Sequence, residues 1–107
     1  KATQDLIRDS EIEKYLSYAS LWEMTIKIRI GKLILLPSLS TYVDTNIKRN
    51  GIQLLAIEEK AIYATQNLEL YHQDPFDRLI IAQAITHNLP VITSDSDWKK
   101  YPIKILT

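Results

Sequence analysis

The chain has 107 residues, 46% of them apolar and 24% charged, which is enough for one compact domain with a real core and too little for a second. Thirteen basic and thirteen acidic residues cancel, which excludes the overall positive charge of a general nucleic-acid binder, so any such binding is local. With no Cys there is no disulfide or thiolate metal site, which fits a reducing cytoplasm, and the longest apolar run falls far short of the roughly 20 residues of a membrane span.

Lys1 is not an initiator Met, and Ala2 to Asp9 reads as a helix with no strand ahead of it, as in a chain entered partway through. Glu13 to Ala19 is too short for a stable helix and reads as a strand. Ser20-Leu21-Trp22-Glu23 has capping-box spacing, Leu21, Met24 and Ile28 recur at helical intervals, and Gly31 closes that helix. Leu33 to Leu36 is an apolar run of ambiguous type ending at Pro37. Ser38 or Ser40 caps a helix reaching Arg49, Asn50-Gly51 stops it, and Ile52 to Ile57 is a strand.

Glu58 and Glu59 open a further helix that fades near Asn67, and a polar connection carrying His72 follows. A buried helix then runs from Pro75 to about His87, with Pro at a position where a backbone N–H has no partner anyway. Val91 to Thr93 is a short strand, 94–100 a loop or single helical turn, and Ile103 to Leu106 a last edge strand. No repeat, low-complexity tract or linker divides the chain, so 1–107 is read as a single domain. Strands alternating with helices of these lengths predict a parallel sheet covered by helices on both faces.

In such sheets the crevice lies beyond the carboxyl ends of the strands, where helices begin. Glu23, Asp77 and Asp95 all fall at such places, and Asp97 shares the side of Asp95 if that loop is extended. Each acid also has a structural explanation. Asp74 and Asp77 suit the positive end of a helix dipole, Glu23 completes a capping box or pairs with Lys27, and Asp95 and Asp97 are ordinary turn residues. If the carboxylates converge, their repulsion is relieved by protonation or by a cation, and all-oxygen ligands favour Mg²⁺ or Mn²⁺. Lys27, Arg29, Lys32 and Arg78 are candidates for holding substrate phosphates, although solvated helix faces explain the first three equally well. His72 has no second His or Cys at ligand spacing and His87 suits the last turn of its helix, so neither is assigned to catalysis, and Trp22 and Trp98 are read as packing residues.

Ser20-Leu21-Trp22-Glu23, Ile26-Lys27 and Gly31-Lys32-Leu33 resemble the first half of a PIN domain of the VapC-like toxin subgroup. The run from His72 through Asp74-Pro75-Phe76-Asp77-Arg78 to Ala84, followed by Val91-Ile92-Thr93-Ser94-Asp95, resembles that subgroup's signature in wording and spacing. The resemblance implies a three-layer α/β fold with a parallel central sheet flanked by helices. It also implies a Mg²⁺- or Mn²⁺-dependent ribonuclease, the toxin of a toxin–antitoxin pair, that cuts RNA, binds an antitoxin across its active-site groove and forms a homodimer. Glu23, Asp77 and Asp95 match acidic metal-site positions, Asp97 matches a further acidic position in the same loop, and Asp74 and Thr93 match supporting ones. The chain departs from the pattern at its start, where PIN domains of this kind carry a central strand ending in Asp. The domain is therefore expected to lack its first strand and one acidic ligand, and a non-catalytic module that binds RNA or an antitoxin is the alternative reading.

Overall fold

The computed structural model describes residues 11–93 and 95–106, and the helix expected over 2–9 lies outside them. The described residues fall into two compact units, one ending at Ala56 and one beginning at Ile57. Each contains parallel strands and helices, as the α/β class requires.

In the first unit, β1 (Lys14–Ser17) pairs in parallel with β2 (Ile52–Leu55), Lys14 opposite Ile52 and Ser17 opposite Leu55. Parallel neighbours need a long crossover, and helical segments supply it. Helix α1 (Tyr18–Arg29) starts directly from the strand because Ser17 caps it, its Oγ accepting from the Ala19 N–H at 3.0 Å. The strand is thus shorter than the expected Glu13 to Ala19, and Ser20 lies inside the helix rather than at its cap. The Ser20–Glu23 capping box does not form, and Glu23 sits in the second turn rather than the first. Gly31, at φ +80°, donates to the Ile28 carbonyl at 3.1 Å and ends the helix in a conformation that a Cβ disfavours.

The Leu33 to Leu36 run forms no regular element, and Ile34 and Leu36 are 77% and 82% exposed. Ser38 caps the next segment, its Oγ accepting from the Thr41 N–H at 3.2 Å. The single helix expected to Arg49 is instead α2 (Leu39–Tyr42), a π turn (Val43–Ile47) and a 3₁₀ turn (Lys48–Asn50). Side chains compete here for backbone carbonyls: the Thr45 hydroxyl donates to Thr41 O at 2.9 Å and the Asn50 amide to Asn46 O at 2.8 Å. Such local bonds bend helices and loosen their regular ladder.

The second unit contains α3 (Glu59–Thr65), α4 (Pro75–His87), β3 (Val91–Ile92), a 3₁₀ helix (Ser96–Lys100) and β4 (Ile105–Leu106), with β3 and β4 paired in parallel. Helix α4 has the bounds its sequence predicts. Asp74 caps it, Oδ1 accepting from the N–H groups of Phe76 at 2.8 Å and Asp77 at 3.4 Å, and Asn88 closes it in the left-handed region at φ 54°. Helix α3 packs on α4, and Ala61 and Ala82, both fully buried, leave room for that approach. The core beneath is Ile81, Trp98 and Tyr101, packed by Leu68, Ile80, Val91, Ile103 and Ile105.

The two tryptophans differ. Trp98 is buried in this core, whereas Trp22 is exposed, as are Tyr18 and Ile26 at four-residue intervals on α1 and Ile30 at its C-cap. Packing therefore accounts for Trp98. Among the described residues no helix is long and apolar enough to cross a membrane.

Because Ile81 is fully buried at the centre of its core, Ile81→Ala is expected to cost about 3 kcal/mol. Urea denaturation measures this, and a loss under about 1 kcal/mol would show that the site collapses around the smaller side chain.

Candidate functional site

The second unit brings three side chains from three local structures to one point. Asp77 stands in the first turn of α4, Asp95 caps the 3₁₀ helix after β3, and His72 lies in the connection before α4. His72 Nε2 is 3.0 Å from Asp77 Oδ2 and 3.2 Å from Asp95 Oδ2. One donor atom from each residue lies within 4.8 Å of the others, and among the described residues this is the group able to hold a metal ion.

Asp95 divides its two oxygens. Oδ1 accepts from the Asp97 backbone N–H at 3.0 Å, which starts the 3₁₀ helix, while Oδ2 faces His72. The Asp97 N–H first, and His72 after it, hold the Asp95 carboxyl below its ordinary pKa. The Asp95 N–H in turn donates to Thr93 Oγ1 at 3.1 Å, so Thr93 shapes the turn that presents the acid. The buried Trp98 side chain makes a smaller contribution to lowering the Asp95 pKa.

His72 is held at both ends of its backbone. Its N–H donates to the Tyr101 hydroxyl at 2.9 Å, and that hydroxyl donates to Glu69 O at 2.7 Å. Its carbonyl accepts from Arg78 Nη1 at 3.2 Å. The Arg78 guanidinium also donates to the carbonyls of Glu69 at 3.0 Å, Thr65 at 2.9 Å and Leu68 at 3.2 Å. Arg78, expected at substrate phosphates, is therefore engaged in tying the end of α3 to the start of α4, with both terminal nitrogens directed at backbone.

The remaining acids are placed differently. The Asp97 carboxylate lies 3.7 Å from Lys100 Nζ, and it is the Asp97 backbone that serves Asp95. Asp74 acts as a cap through Oδ1. Glu23 belongs to the first unit, where its Oε2 pairs with Lys27 Nζ at 3.4 Å, and the two line a shallow hollow with Ser20, Met24 and Leu33. His72 is the residue that sequence reasoning missed. It stands five residues before Asp77 and twenty-three before Asp95, so neither pairing has a local ligand spacing. The signal available was its position two residues before a helix cap, which aims a side chain at the helix mouth.

The donor set suits a hard divalent cation: two carboxylate oxygens from separate elements, with waters free to complete the shell. A family model described as PIN domain matches residues 1–104 of the chain. No curated protein matches it.

Replacing Arg78 by Lys keeps the charge but loses the planar fork, and is expected to cost about 2–3 kcal/mol in urea denaturation. A variant as stable as wild type would show that the four carbonyl contacts contribute nothing net. The depressed Asp95 pKa favours the ionised acid in the folded state. That stabilisation is fully present above the ordinary value of 3.8 and is lost as pH falls through the lower folded value. The stability gap between wild type and Asp95→Asn, measured with EDTA present, should therefore narrow as the pH is taken below 3.8. A gap that stays constant over that range would contradict the assignment.

Proposed function

The chain belongs to the PIN domain family, whose members are generally metal-dependent nucleases, and on that basis we propose that it is a Mg²⁺- or Mn²⁺-dependent endoribonuclease acting as a VapC-like toxin. The observation that carries the proposal is the meeting of Asp77 Oδ2 and Asp95 Oδ2 around one point, each within 3.2 Å of His72 Nε2. Two carboxylates held this close repel one another, and a cation or a proton donor between them relieves the repulsion. When bound, a divalent ion there polarises a phosphodiester and lowers the pKa of an attacking water.

The chain's own residues prepare that chemistry. The cap at Asp74 fixes the first turn of α4 and hence Asp77, and the Asp97 N–H fixes Asp95 through the oxygen not facing the site. Both Oδ2 atoms then face His72 Nε2. Arg78 holds the connection between α3 and α4 through backbone carbonyls.

In the resemblance carried by the sequence, Glu23 and Asp97 match acidic positions of the family, and the charge of Lys27 makes it a candidate phosphate contact. The same resemblance supports a three-layer arrangement with a parallel central sheet, an antitoxin partner and homodimer formation, and the cysteine-free composition fits a reducing cytoplasm.

Cleavage of labelled single-stranded RNA with Mn²⁺ tests the reading, with any residues that naturally precede Lys1 included. Asp77→Asn is expected to lower the rate at least 100-fold while circular dichroism stays unchanged, and EDTA to abolish cutting. Equal cleavage by wild type and Asp77→Asn would remove Asp77 from the site. No cutting by a folded, metal-loaded protein across varied RNAs would favour the non-catalytic binding module.

A further inference from the structure

His72 has two ring nitrogens in different surroundings. Nδ1 accepts the backbone N–H of Asp74 at 3.3 Å, so Nδ1 carries a lone pair and no proton. The ring proton is then on Nε2, the nitrogen that faces the carboxylates of Asp77 and Asp95. A metal ligand would need the opposite tautomer, with the lone pair on Nε2 and a proton on Nδ1. That tautomer would set the Nδ1 proton against the Asp74 N–H, in the turn whose residue caps α4.

We propose that His72 is a positioning residue and not a metal ligand: its Nε2–H donates to Asp95 Oδ2 with Asp77 Oδ2 3.0 Å away, which keeps the two acids at one point from the protein side and leaves the ion an all-oxygen set. The backbone anchors support this role. Tyr101 fixes the His72 N–H, Arg78 fixes its carbonyl and Asp74 fixes its ring, so the imidazole is oriented before any ion arrives. A carboxylate oxygen accepts more than one partner, so Asp95 Oδ2 is able to receive the Nε2–H and still offer a lone pair to a cation. Outer hydrogen-bond donors of this kind typically change metal affinity 10- to 100-fold.

This inference rests on the proposed metal site, and its test reads the ring and the ion separately from cleavage. Protein labelled with ¹⁵N at histidine is followed by long-range proton–nitrogen correlation, first with EDTA and then with saturating Mg²⁺. The expected result is a His72 ring protonated at Nε2 in both spectra. A proton on Nδ1, or loss of the Nε2 proton when Mg²⁺ is added, would make His72 a ligand and overturn the proposal.

Mn²⁺ binding, measured by electron paramagnetic resonance on the same protein, supplies the second readout. His72→Ala is expected to weaken binding about 10-fold or more, and His72→Gln, whose amide also donates, to recover part of that loss. Equally weak binding by folded His72→Gln and His72→Ala would overturn the positioning role alone. Failure of the wild type to bind Mn²⁺ would overturn the metal site on which both readings depend, while leaving the tautomer as measured in EDTA.

Discussion

The constraint on which the second unit depends is the Arg78 guanidinium. Its terminal nitrogens hold the carbonyls of Thr65, Leu68, Glu69 and His72, the chain that leaves α3 and reaches the cap of α4. Carbonyls at the end of a helix have no intrahelical partners, and a connection that turns over a core would otherwise leave them unsatisfied. A planar fork satisfies several at once, which an ammonium cannot do with the same geometry. The residue beside it in sequence, Asp77, projects into the site. One turn of helix therefore fixes the loop with one side chain and presents an acid with the next.

Asp95 works by a similar economy. A free carboxylate on a loop samples many orientations, whereas one whose Oδ1 accepts the Asp97 N–H is fixed with Oδ2 facing His72. The bond that starts the 3₁₀ helix also favours the ionised form of the acid. Local folding and the charge that a cation would meet thus come from the same contact. Asp97 and Thr93 support Asp95 through a backbone N–H and a hydroxyl oxygen respectively.

Helix α4 was fully legible because every local signal agreed: an Asp cap, Pro at the first position, an apolar run and Asn at the left-handed close. Helix α1 was misread at its start because Ser17 and Ser20 are both able to cap, and only the length of the β1–β2 ladder selects Ser17. The Ser38 to Asn50 segment carried caps and stop signals, but the competition of Thr45 and Asn50 for backbone carbonyls left no mark in its periodicity. In the site, the positions of Asp77 in a first turn and Asp95 after a strand followed from chain order. The roles of Arg78 and His72 did not, because both depend on contacts across loops, from Thr65 to Arg78 and from His72 to Asp95.

The placement of the His72 proton ties these features together. A loop histidine would ordinarily exchange tautomers freely, but here the Asp74 N–H faces Nδ1 because Asp74 must turn its backbone to cap α4. The capping geometry that folds the helix thereby directs an N–H dipole at two acids from separate elements. That N–H offsets part of the repulsion between the two acids and holds them at one point. A lysine at the same place would neutralise one carboxylate outright and compete with the ion. An imidazole N–H instead orders the pair by a hydrogen bond to Asp95, which gives this residue type at this position a physical reason beyond packing.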